Sequence, residues 1–174
     1  MTDDKEWDRG ASFSRCGAYR YDLWRIWDQN KDFVAFIMLN PSTADVYKND
    51  PTVERCQRFA LAWGFGGLHV CNIFALRTTY PKILRENSRP VGTGNDAMIL
   101  KRAQGAGKVI CAWGNHGAFL DRGEKVVTKL LKRGIQPHAF DLTLQGQPKH
   151  PLYLRKTAKA RPWNGFPRNK KKSS

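Results

Sequence analysis

The chain has 174 residues and a formal net charge of +15, from 30 lysines and arginines against 15 acids. That length fits one domain, and 41% hydrophobic residues can build a core without disulfide or metal staples, which excludes a disordered chain. The polar start MTDDKEWDRG does not read as a signal peptide, and no apolar run reaches the roughly 18 residues a membrane helix needs.

Taken in chain order, residues 1–12 read as a flexible leader, 13–163 as a single α/β domain and 164–174 as a basic tail. Residues 13–28 partly alternate aromatic and basic side chains (Tyr19, Arg20, Tyr21, Trp24, Arg25, Trp27), as a strand does. Residues 33–39, FVAFIML, form an unbroken apolar run of the kind found in parallel strands covered on both faces. Asn40-Pro41 stops it, because proline removes a ladder donor and keeps Asn40 out of the helical region. Asp50-Pro51-Thr52-Val53-Glu54 reads as a helix start with Asp50 as N-cap and proline at N1, the helix running to about Trp63.

A second strand is expected over 68–74, then loops over 75–81 and 89–94. Asn95 is placed to cap a helix running to about Gln104. A third strand over 108–113 leads into the turn Gly114-Asn115-His116-Gly117. Residues 122–133 form a helix with Val126, Val127, Leu130 and Leu131 inward. A fourth strand over 137–142 precedes a loop ending at His150. The order predicts a three-layer α/β/α domain with a mostly parallel sheet of four to five strands. Ligands of such sheets bind beyond the carboxyl ends of the strands, which places the loops at 40–45, 114–116 and 150–153 at one site.

Eight basic residues and no acid fall within residues 155–174, yet the rest of the chain still holds 22 bases against 15 acids. A basic body together with a basic tail points to a polyanionic partner, nucleic acid ahead of a membrane surface. Mere solubility is the bland alternative. Cys16, Cys56, Cys71 and Cys111 form no C-x-x-C pair, so no metal or cofactor is expected, and four unframed thiols suit a reducing cytoplasm. No glycine-rich phosphate loop is present.

The segments MLNPSTAD (38–45), DPT (50–52), WG (63–64), NIFAxR (72–77), PVG (90–92), ND (95–96), AWGNHG (112–117) and HPLYL (150–154) follow one another in order. Together they resemble the bacterial and phage family known as domain of unknown function 1643. More distantly, the layout is similar to the uracil-DNA glycosylase superfamily. Asn40-Pro41-Ser42 resembles that superfamily's first loop, His150-Pro151-Leu152-Tyr153-Leu154 its last, and residues 70–81 its Asn-x-x-x-x-Arg-x-x-x-Pro region. Ser42 stands where glycine is usual, and the last loop lacks the common serine.

This resemblance implies a uracil-DNA-glycosylase-like fold and base excision from DNA without a metal. Asn40 and Asp45 would then place the hydrolytic water, and His150 would donate to the leaving base or a phosphate. Pro41 and Ser42 would shape the first loop. Asn72, Asn115 and His116 would face the base, and Phe74, Trp113 and Tyr153 would offer a stacking shelf. Arg77 would meet a phosphate, and Arg155, Lys156, Lys170, Lys171 and Lys172 the backbone.

Each residue also has a structural reading: turn former for Asn40, cap for Asp45 and His116, core for the aromatics, surface ion pair for Arg77. His69 and His138 lie within strands and read as structural. Two further functions stay open. One is a non-catalytic binder of modified or single-stranded nucleic acid. The other is an enzyme of modified-nucleotide metabolism.

Overall fold

The computed structural model describes residues 7–167; Lys170, Lys171 and Lys172 lie outside them. Seven strands form one sheet in the order β1-β2-β4-β3-β5-β6-β7. They are β1 (Asp8–Phe13), β2 (Arg20–Ile26), β3 (Phe33–Met38), β4 (Gly67–Asn72), β5 (Lys108–Cys111), β6 (Pro137–Ala139) and β7 (Arg161–Pro162). Four helices accompany them: α1 (Pro51–Ala62), α2 (Pro81–Glu86), α3 (Asn95–Gly105) and α4 (Arg122–Lys132).

The sheet is larger than the sequence suggested, and it is mixed. Only β4-β3-β5-β6 run parallel, while β1–β2, β2–β4 and β6–β7 pair antiparallel. Residues 8–12, read above as leader, belong to β1, which pairs with β2 from Asp8↔Ile26 to Phe13↔Arg20. Such edge strands carry mixed polar and aromatic residues and no long apolar run, so little in their own sequence marks them as strands.

β3 lies at the centre, and its run FVAFIM faces protein on both sides. Val34, Phe36 and Met38 pack with Val53, Cys56 and Phe59 of α1. Ala35 and Ile37 pack with Ile99 and Ala103 of α3 and Val126, Val127 and Leu130 of α4. This distribution follows from handedness. The connection β3–α1–β4 steps one way along the sheet, whereas β4–α3–β5 and β5–α4–β6 step the other way. Right-handed crossovers therefore put α1 on one face and α3 and α4 on the opposite one. The reversal between β3 and β5 opens a crevice at their carboxyl ends.

α1 starts as its sequence predicts. The Asp50 carboxylate accepts from Val53 N at 2.8 Å, and Pro51 occupies the first turn. Gly64, at φ +79°, ends the helix in a conformation that disfavours any Cβ. α2 starts at Pro81, the last residue of the loop expected over 75–81, and fills a stretch to which no element was assigned; only Leu84 of it is buried. Gly94, not Asn95, occupies the N-cap of α3. Asn95 instead turns inward and donates to the Asn72 carbonyl at 2.8 Å.

His69 is structural, as expected. Its Nδ1 lies 3.0 Å from the fully buried Asp22, which also receives Arg102 Nε at 2.7 Å. No helix of the described residues is long and apolar enough to cross a membrane.

Candidate functional site

The loops after β3, β5 and β6 come together at the carboxyl edge of the parallel strands. After β3 the chain runs through residues 39–49 and caps α1 with Asp50. Gly114 after β5 donates its N–H to the Pro148 carbonyl at 2.8 Å, which ties the second loop to the third. The short 3-10 turn Pro151–Tyr153 packs on α1, and Arg55 of α1 donates to the Leu154 carbonyl. His150 therefore sits beside the α1 N-terminus, within electrostatic reach of Asp50.

Asn40 is fixed through its amide nitrogen. Nδ2 donates to the Thr78 carbonyl at 2.7 Å and to its neighbour Pro41's carbonyl at 3.2 Å. Its Oδ1 keeps its lone pairs for another donor. Pro41 is buried, and its carbonyl also accepts Thr78 N, so the loops after β3 and β4 are laced together. Ser42 is half-buried within this strap.

Asp45 serves the loop itself. Its Oδ1 accepts Tyr47 N at 2.9 Å and Lys48 N at 2.8 Å, an Asx-type turn. These backbone donors hold its carboxyl below the usual aspartate value, which makes it a poorer base.

His150 is half-buried. Its Nδ1 accepts from Leu152 N at 3.3 Å, so the neutral ring carries its proton on Nε2. Burial pushes its pKa below the ordinary value, and the carboxylate of Asp50 offsets part of that shift. At neutral pH the ring is an uncharged donor.

The remaining predicted residues divide sharply. Trp113 and Phe74 are buried in the core and form no shelf. Trp113 Nε1 donates to Gln147 Oε1 at 2.9 Å, and Phe74 packs on Phe119. Tyr153 is 88% exposed and free to stack. Arg77 is held within the fold: Nη1 donates to the Gly17 carbonyl at 2.9 Å, and the guanidinium lies over Phe13.

His116 is exposed, with Nδ1 3.4 Å from Arg85 of α2, while Asn115 Oδ1 accepts from the Thr143 hydroxyl at 2.6 Å. Arg155 and Lys156 are exposed just beyond the His150 turn.

Asn72 ends β4 on the α1 face, 2% exposed, with Oδ1 3.5 Å from Arg20 Nη2. Arg20 itself was missed by sequence reading. It is 2% exposed, its Nη1 donates to the Ala44 carbonyl at 3.0 Å, and its Nε has no partner. Burial pulls its pKa down to about 10; Asp50 partly opposes that shift, and Arg77 reinforces it.

Arg25, also buried, donates to the Asp45 carbonyl at 2.7 Å and to Asn49 Oδ1 at 3.0 Å. Two cations of β2 thus clamp the loop after β3. The Arg20–Arg25 spacing offered no local signal, because a register shift at Phe13 leaves Tyr21 without a partner on β1 and changes the side-chain alternation.

Two further exposed aromatics escaped notice. Tyr47, in the loop after β3, is 84% exposed, and Tyr80, after β4, is 64% exposed. With Tyr153 they place a free ring on three loops of the carboxyl edge. Among the described residues, no group of three or more His, Cys, Asp or Glu side chains is placed to hold a metal ion.

Fold and site together define a basic α/β domain with a mixed seven-stranded sheet, whose carboxyl-edge loops carry an anchored asparagine and an uncharged histidine donor. Over residues 20–152 the chain matches the family model described as "Protein of unknown function (DUF1643)", and it belongs to that family. No curated protein and no solved structure matches it.

Proposed function

We propose that the chain acts on nucleic acid, DNA foremost, as a hydrolase of an N-glycosidic bond, in the manner of the uracil-DNA glycosylases that its loop motifs resemble. The observation that carries this reading is His150. An imidazole whose Nδ1 is occupied by Leu152 N–H and whose pKa is depressed by burial presents a neutral Nε2–H. Such a donor stabilises negative charge developing on a departing base without itself losing a proton. Asn40 complements it. Its amide nitrogen is held by two carbonyls, which orients Oδ1 to accept a hydrogen bond from an attacking water. The basic composition supplies attraction for the polymer.

The test is abasic-site formation, read as alkali-labile breaks in oligonucleotides carrying uracil or a modified pyrimidine. Wild type is expected to produce breaks with at least one base. Asn40→Ala and His150→Gln should each lose about 100- to 1000-fold in rate, the usual loss for one positioned donor or acceptor. Retained binding with no breaks on any base rejects the chemistry.

A second reading, a non-catalytic binder of nucleic acid, is favoured by Asp45. Its Oδ1 is committed to the 45–48 turn, the same backbone donors lower its basicity, and residues 39–49 offer no other acid as base. Under that reading the same two variants change affinity and no breaks form.

A further inference from the structure

Beside the His150 turn, on the α1 face, two surface hollows share a basic rim. One, of about 180 Å³, is floored by Phe59 and Ala62 and edged by Arg55, Arg58 and Lys156. The other, of about 560 Å³, runs past Phe140 and Leu154 and is edged by Arg155, Lys159 and Arg161. Six cations line the pair against one acid, Asp141, which is already 3.6 Å from Lys149; Arg58 is paired with Glu54 at 3.4 Å and Arg55 donates to the Leu154 carbonyl, which leaves four cations without such a partner. Among the described residues, Arg155, Lys156, Lys159 and Arg161 make no ion pair, and all four are exposed. Tyr153, 88% exposed, stands in the chain between His150 and Arg155.

Uncompensated cations packed along one groove repel each other, and they are stabilised by a chain of anions spaced along it. The free ring of Tyr153 suits a flat base, whereas Phe59, 3% exposed beneath the Arg55 guanidinium, serves only as floor. An aromatic–base stack contributes about 1–3 kcal/mol and ignores sequence. A duplex hides its base faces from Tyr153, so the groove favours a strand whose bases are unpaired.

We propose that this face is the track of a single-stranded nucleic acid. Its phosphates lie on Arg155, Lys156, Lys159 and Arg161, and its bases turn toward Tyr153. The proposal deepens the reading above by giving the polymer a path and a strandedness, and it rests on that reading only for nucleic acid as the partner.

The test is fluorescence anisotropy of labelled single-stranded DNA, single-stranded RNA and duplex DNA against the full chain over a salt series. Each single-strand phosphate contact contributes about 0.7 to the slope of log affinity against log salt. The triple variant Lys156→Gln/Lys159→Gln/Arg161→Gln should lower that slope by about 2. The matched triple Lys101→Gln/Lys132→Gln/Arg133→Gln, which changes exposed residues of α3, α4 and the turn after it, should leave it unchanged.

The proposal is overturned by equal losses in the two triples or by no loss in the first. It is also overturned by tighter binding of duplex than of single strand, or by no salt-dependent binding in wild type. Vesicles of anionic phosphatidylglycerol that depend on the same three side chains as strongly would overturn it in favour of a membrane surface.

Binding through the groove without abasic sites leaves the track standing and removes the glycosylase. Abasic sites formed with an unchanged KM in the groove triple do the reverse.

Discussion

Arg20 Nη1 on β2 donates to the Ala44 carbonyl at 3.0 Å, so a buried cation of one strand holds the loop that leaves another. No acid lies within ion-pair distance of this guanidinium among the described residues, and its Nε is unpartnered. Arg20→Met keeps the apolar stem and removes the donors to Ala44 and Asn72. Loss of a charged hydrogen bond to a buried carbonyl predicts destabilisation of about 1.5–3 kcal/mol, read as a lower urea midpoint. Arg20→Lys, which supplies one donor without the fork, should recover part of that loss.

Asp50 has two duties, and one substitution separates them. It caps α1 through Val53 N, so Asp50→Ala should cost about 1 kcal/mol of unfolding free energy. Its negative charge also raises the His150 pKa against the effect of burial. Removing that charge should lower the His150 titration midpoint further, measured by the imidazole proton shifts in NMR. Asp50→Asn should keep most of the cap and still lower the histidine value.

Burial holds both His150 and His138 below the ordinary histidine value, with Lys108 adding to the effect at His138. A histidine with a depressed folded value binds its proton more weakly folded than unfolded. Stability is therefore full above the unfolded value of about 6.5. It falls as pH drops from there through the lower folded values, then levels off. Urea midpoints measured between about pH 7.5 and about pH 5 should decline, and His150→Gln or His138→Gln should each flatten the decline.

Cys16 is the exposed thiol of the four; Cys56, Cys71 and Cys111 are buried, and burial pushes their pKa values up. The Ser14 hydroxyl, with help from the backbone at Ala18, lowers that of Cys16. A disulfide reagent at neutral pH should label one thiol in native protein and four in urea. Ser14→Ala should slow the native reaction, because a smaller fraction of Cys16 is thiolate.

Gly117 lies against the indole of Trp113, where a Cβ would stand 2.0 Å from Cδ1. Gly117→Ala should cost about 1–3 kcal/mol through overpacking. Intrinsic tryptophan fluorescence would report the displaced ring.

The central elements were legible because their causes are local. The run FVAFIM has one stable use, a strand covered on both faces. Asp50-Pro51 carries both its cap and its permitted proline. Gly64 stops the helix it follows. Asn40-Pro41 announces a strand end whatever surrounds it. The outer sheet was not legible, because Asp8–Phe13 and Arg161–Pro162 are strands only through the neighbours whose ladders they complete. Arg20 and Asp22 fall on opposite faces because of a register shift, and no periodicity in the sequence registers it.

By itself, then, the sequence determined the parallel core, the start of α1, the family and the loops that end at the carboxyl edge. These follow from backbone preference and apolar patterning within a few residues. Only the tertiary structure decided which side chains those loops leave available. It buried Phe74 and Trp113, tied Asp45 Oδ1 to two backbone amides and Arg77 Nη1 to a carbonyl, and left Asn40 Oδ1, His150 Nε2 and Tyr153 open. A polar atom is spent or free according to partners tens of residues away, and that depends on how distant segments pack.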